Sequence, residues 1–147
     1  MEHTSYKIGI NAPREKIWTT LWTLDSYEQW AAAFMEGSTV KTDWQKGSKA
    51  YFVDAEGSGM VSRIVENKPN EFLSINHLGI VKGGVEDYDS EEAKKWASGF
   101  ENYTLKDANG GTELQVDLTG AIPPEYKDYF ANAWPKALNK IKELSEA

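Results

Sequence analysis

Residues 6–10 (YKIGI) alternate apolar and polar positions, the two-residue period of a strand with one buried face. The period then changes. In NAPREKIW, Asn11 is a candidate cap and Pro13 sits in the first turn. Ile17/Leu21 and Trp18/Trp22 recur at the four-residue spacing of a helix face. A second short helix is predicted over 26–33, capped by Asp25 or Ser26. From Ser38 the period returns to two, and strands are predicted at 38–43, 49–54, 59–67, 71–77, 100–106 and 112–119. Turn residues separate them at Lys46-Gly47, Gly57-Ser58-Gly59, Lys68-Pro69-Asn70 and Asn109-Gly110-Gly111. Short connections of this kind favour an antiparallel meander. In the last strand Leu114, Val116 and Leu118 share one face, and Glu113, Gln115 and Asp117 the other. That sheet is buried on one side and wet on the other.

After Pro123-Pro124 the helical period resumes. Tyr126, Tyr129, Phe130, Ala133, Trp134, Ala137, Leu138, Ile141 and Leu144 form one broad apolar stripe. A long helix lying on one antiparallel sheet buries both stripes. Pro135 interrupts it, removing a hydrogen bond and clashing with the carbonyl of Ala131, at a cost of about 3 kcal/mol.

Several stretches carry a family likeness: NAPREKIWTTL (11–21), Trp30 after the second helix, GMVSRIVENKPNEFLSI (59–75), the NGGTELQV hairpin and WPKALNKIKEL (134–144). Their order resembles the helix-grip fold of the SRPBCC (START-like) superfamily, in the branch named after the activator of heat-shock-protein ATPase. The resemblance covers roughly residues 6–145. It implies an α+β fold in one domain spanning 1–147. A curved antiparallel sheet of about seven strands would wrap a long C-terminal helix, with two short helices after the first strand and an apolar cavity between sheet and helix. The superfamily includes lipid and hormone binders, polyketide cyclases, hydroxylase domains and co-chaperone modules, so the likeness specifies fold more than function. Two readings of Pro135 follow. Either it bends the terminal helix along the concave sheet and turns Trp134 toward the cavity, or two helices meet near 132–135 with Trp134 as ordinary core.

Composition narrows the function classes. The 147 residues include six Trp, seven Tyr and five Phe, many flat side chains for one small domain, some of which can line a cavity. A formal net charge of −7 disfavours nucleic-acid partners. Without cysteine there is no disulfide, thiolate or Cys-based zinc chemistry, which suits the cytoplasm. The start, MEHTSYKIGI, has no basic segment followed by an apolar one, so no signal peptide is expected. The longest apolar run, 30–35, is too short for membrane insertion.

Catalytic equipment is scarce. By alternation His77 shares a face with Leu73 and Ile75, and Glu101 shares one with Tyr103 and Leu105 on the neighbouring strand. His77, Glu101 and Tyr103 are the candidate acid–base groups, and nothing supplies a nucleophile or an oxyanion site. In VEDYDSEEAKKW, Asp87, Asp89 and Glu91 alternate like calcium-loop ligands. The sixth position is Glu92 where glycine is needed, and the twelfth is Ser98 where glutamate is needed. A solvated acidic loop leading into a short helix capped by Asp89 or Ser90 fits better, and no metal or cofactor is expected. The long connection 78–99, with Gly79, Gly83 and Gly84 for freedom and Trp96 as an apolar anchor, is a candidate lid over the cavity mouth. Asn102-Tyr103-Thr104 matches a glycosylation sequon but falls in a predicted strand.

The leading expectation is binding of a small apolar or amphipathic molecule between sheet and terminal helix. Candidate wall residues are Trp30, Phe34, Phe52, Met60, His77, Trp96, Tyr103, Phe130 and Trp134, with Met60 depending on strand phase. A cyclase- or hydrolase-like enzyme using His77, Glu101 or Tyr103 in the same pocket is the second reading. An interaction module stimulating a chaperone ATPase is the third.

Overall fold

Strand β1 (His3–Ile10) carries the alternation of the first segment into the sheet, and the computed structural model describes residues 3–120 and 123–147. Helix α1 (Arg14–Trp22) follows, with Pro13 at its N-cap position and no side-chain cap. Asn11 does not cap it. Its backbone N–H instead donates to Glu146 Oε2 at 2.8 Å, tying this corner to the far end of the chain. Helix α2 (Leu24–Ala31) begins two residues before the predicted start, with Thr23 at the N-cap. Ser26 is used differently from a cap: its hydroxyl donates to the carbonyls of Thr19 and Thr23, which also accept the backbone N–H groups of Thr23 and Tyr27, and so it straddles the junction of the two helices. The Trp30 indole N–H donates to Leu21 O at 3.2 Å and locks the two helices together.

Seven further strands and a short helix precede the terminal helix. They are β2 (Thr39–Lys41), β3 (Lys49–Val53), β4 (Gly59–Lys68), β5 (Phe72–Lys82), β6 (Val85–Asp87), α3 (Glu91–Trp96), β7 (Phe100–Ala108) and β8 (Gly111–Thr119). They form one antiparallel sheet in the order β1-β8-β7-β5-β4-β3-β2, with β6 paired to β5. The strands outnumber the expected seven by the short β6. Residues 78–82 also belong to β5 and not to a loop. Val61 pairs with Gly79 but Ser62 pairs with His77, leaving Leu78 as a bulge. That bulge shifts the side-chain phase by one residue, so the alternation that marks the strand stops at His77. Gly83 and Gly84 are not a source of freedom. At φ 55° and 85° they make the tight two-residue turn between Lys82 and Val85.

Helix α3 is capped by the Ser90 hydroxyl, which accepts from Ala93 N. Asp87 Oδ1 accepts the N–H groups of Asp89 and Ser90, and the Ser90 side chain, then these N–H groups, hold its carboxyl below the usual range. The acidic run thus builds a turn. On the outer face Glu86 gathers Tyr88, Lys49 and Tyr51. The Tyr88 hydroxyl, then Lys49, hold its carboxyl down at about 2.

A single 3-10 turn (Pro124–Tyr126) leads into α4 (Lys127–Glu146), which runs through Pro135 without a break. The alternative of two helices meeting near 132–135 is therefore overturned. Ala133, Trp134, Ala137, Leu138 and Ile141 are buried, whereas Ala131 and Pro135 lie on the exposed face. The carbonyl that loses its partner to the proline faces water, which can hydrate it. The core sits between α1, α4 and the strands β1, β7 and β8, where Ile17, Leu21, Leu114, Val116 and Ile141 are fully buried.

Candidate functional site

Beyond Trp134 the interior does not close. Between α2, the first half of α4, α3 and the concave faces of β3, β4, β5, β7 and β8 lies a cavity of about 810 Å³. Ligand-binding clefts run from roughly 300 to 1,000 Å³. Register explains the strand contribution. Phe52 pairs with Met60 across β3 and β4, and Met60 pairs with Ile80 across β4 and β5, so the three stand in a row on the wall. This settles the phase of β4: Met60 faces inward together with Ser62 and the fully buried Ile64. The bulge at Leu78 lets His77 and Ile80 both point into the cavity despite their odd spacing.

All nine wall candidates from the sequence stand on this cavity. They divide by burial. Trp30, Tyr103 and Trp134 are at most 3% exposed and serve as core as well as wall. Phe34, Phe52, Met60, His77, Trp96 and Phe130 are half-buried and turn surface toward the open space. Trp134 stacks on Tyr6 at 5.9 Å and meets Phe34 edge-on at 4.9 Å, so it forms the floor where cavity gives way to core. Trp96 reaches from α3 to Tyr126 at 5.1 Å and Phe130 at 6.0 Å, joining the strap to the start of α4.

The three acid–base candidates converge. On β7, Glu101 and Tyr103 are same-face neighbours, and the Tyr103 hydroxyl donates to Glu101 Oε2. His77 Nε2 lies 3.3 Å from Glu101 Oε1, and His77 Nδ1 is 2.8 Å from the Ser62 hydroxyl. A neutral imidazole satisfies both contacts, accepting from Ser62 at Nδ1 and donating to Glu101 at Nε2. Burial, and then the nearby negative charge of Glu101, push the Tyr103 hydroxyl well above its ordinary value. The same two causes raise Tyr27. Both phenols are therefore proton donors at neutral pH. Among the described residues no group of three or more His, Asp and Glu is arranged to hold a metal ion.

Beyond further wall residues such as Ile80, two residues tied to the polar cluster and its neighbouring rings escaped the sequence reading. Ser62 is a polar residue at an inward position between Met60 and Ile64, a signal visible only once the phase of β4 is known. Tyr27 sits three residues before Trp30 on α2, ring to ring at 4.9 Å, and that spacing could have found it.

No curated protein sequence matched the chain. Solved structures did. A crystal structure of protein MLL2253 from Mesorhizobium loti superposes with a TM-score of 0.72 at 18% identity, covering 97% of this chain and 96% of that one. The solution structure of the Aha1 dimer from Colwellia psychrerythraea gives 0.72 at 18% identity, covering 99% and 97%. Protein CV1439 from Chromobacterium violaceum gives 0.69 at 20% identity, covering 99% and 97%. At such identities the likeness is one of fold. Sequence reaches the family: the one described as Activator of Hsp90 ATPase homolog 1-like protein matches residues 11–146. The strand, paired short helices, curved sheet and gripping terminal helix seen here are the architecture of that family, and the chain belongs to it.

Proposed function

We propose that this protein binds a small hydrophobic or amphipathic molecule in the cavity between its sheet and terminal helix. The observation that carries the reading is the open space itself. Interiors are close-packed, and an aromatic-walled void of about 810 Å³ beside a fully packed core is hard to ascribe to structure alone. Its wall combines large apolar faces with one polar cluster, the combination that fixes a guest by area and orients it by hydrogen bonds. Native mass spectrometry of protein purified from its own host tests this. A co-purifying small molecule released on denaturation is expected. A bare mass, together with no uptake of any apolar probe, contradicts it.

A second reading is favoured by the convergence of His77, Glu101 and Tyr103: a cyclase- or hydrolase-like reaction whose proton transfers they would serve. Titration of His77 by NMR checks it, with a midpoint that moves in Glu101→Gln expected if the two act as a pair. The chaperone-ATPase reading is supported by the family description. The strap from 83 to 99 is in turn proposed as the element that opens the mouth, hinging where Trp96 meets Tyr126 and Phe130. Faster hydrogen exchange there than in β4 and β7 is the expected result.

A further inference from the structure

The chemistry of the cavity wall is lopsided. Four carboxylates line it, Asp54, Glu92, Glu101 and Glu125, against the single ammonium of Lys82 among the described residues. Three of the four are already occupied. Glu92 engages Lys82 at 2.9 Å, Glu125 engages Lys95 at 3.5 Å, and Asp54 accepts the N–H groups of Glu56 and Ser58. Glu101 differs. It stands beside the buried Tyr103, its side chain 23% exposed, and its partners are a phenol and the Nε2 of His77. No lysine or arginine reaches it among the described residues, and a carboxylate in apolar surroundings is stabilised most by a positive charge.

Aromatic side chains share that carboxylate's cavity, among them the half-buried rings of Phe34, Phe52, Trp96 and Phe130. Tyr27 and Tyr103 both feel its charge, and Tyr27 is ringed by Trp30 at 4.9 Å and Phe52 at 6.3 Å. Ring faces carry negative potential and attract organic cations, the more so where water is excluded. An anionic head group would meet Glu101, while the one ammonium on the wall among the described residues, Lys82, is already paired to Glu92.

We propose that the cavity selects apolar molecules ending in a protonated amine or quaternary ammonium, with the cationic head seated on Glu101 among the aromatic faces. This rests on the ligand-binding reading above and names the class of ligand. A length-matched trio of probes separates the two: decylammonium, decanol and decanoate, titrated by calorimetry at neutral pH. The charge-assisted contact predicts that decylammonium binds roughly tenfold or more tighter than decanol, with decanoate weakest. In Glu101→Gln the ratio of decylammonium to decanol affinity collapses toward one. In Glu143→Gln, which removes an equal charge from the exposed face of α4, the ratio persists, so general attraction to a chain of net charge −7 is not its source. Decanoate binding as tightly as decylammonium to the wild-type protein overturns the inference while leaving a ligand cavity in place. No binding of any of the three overturns both. The wild-type comparison stands even where Glu101→Gln fails to fold.

Discussion

The two ends of the molecule share one sheet and one terminal helix but are built to different rules. At the closed end α4 presents Ala137 and Ile141, and Ile17, Leu21, Leu105 and Leu114 meet them with at most 1% exposure. At the open end the same helix presents Tyr129 and Phe130, opposite Met60 and Ile80, and leaves about 810 Å³ between them. Small and branched side chains close the first end. At the second, aromatic rings pack on one another, Phe130 against Trp96 at 6.0 Å and Phe34 at 6.1 Å. Trp134 marks the border, and Pro135 places its helix defect on the wet side of that border. The difference separates a packed end from an open one: one end carries the packing, the other can lose atoms cheaply.

Truncations at the two ends should therefore differ most. Leu21→Ala is expected to cost about 2–5 kcal/mol in denaturant unfolding, because the packed site cannot collapse onto the void. Met60→Ala should cost roughly 1 kcal/mol or less, its side chain already bordering open space. Equal losses would erase the distinction.

Ser62→Ala comes next. It leaves His77 Nδ1 without its partner inside the wall, at about 1–3 kcal/mol, and should move the His77 titration followed by NMR. An unchanged His77 signal would show that the contact does not orient the ring.

The alkaline limb gives a smaller, graded effect. Tyr27 and Tyr103 have folded-state values raised above the ordinary 10.0, so the unfolded chain loses those protons first. Their contribution is whole below pH 10 and is lost as pH rises beyond it, each adding a slope of roughly 1.4 kcal/mol per pH unit. Tyr103→Phe should flatten that slope by one such group, measured by urea unfolding across the range. A slope identical to wild type would contradict the burial of its hydroxyl.

The closed end was the more legible in the sequence. Ile17/Leu21 and the stripe through Ala137 and Ile141 follow helical spacing, and Leu114/Val116 follow strand alternation, so period alone located them. Much of the open end was legible for the same reason, since wall and core residues obey one periodicity until the cavity separates them. What periodicity misses is a change of phase. The bulge at Leu78 ended the apparent strand at His77, hid residues 78–82 in a supposed loop and concealed the partnership of Ser62 with His77. The cap of α2 was missed because Ser26 bonds backward to α1, a choice made by the junction and not by either helix. The unbroken helix through Pro135 likewise depends on which face meets water, a tertiary fact.

The proposal that the open end takes a guest is tested most directly by filling that space. Calorimetric titration of decanol into wild-type protein and into Met60→Trp, with unfolding free energies measured in parallel, should show saturable one-to-one binding that weakens at least roughly tenfold in the variant while stability changes by about 1 kcal/mol or less. Equal affinity in both proteins, or a variant destabilised as severely as Leu21→Ala, would mean that the space is not a binding cavity.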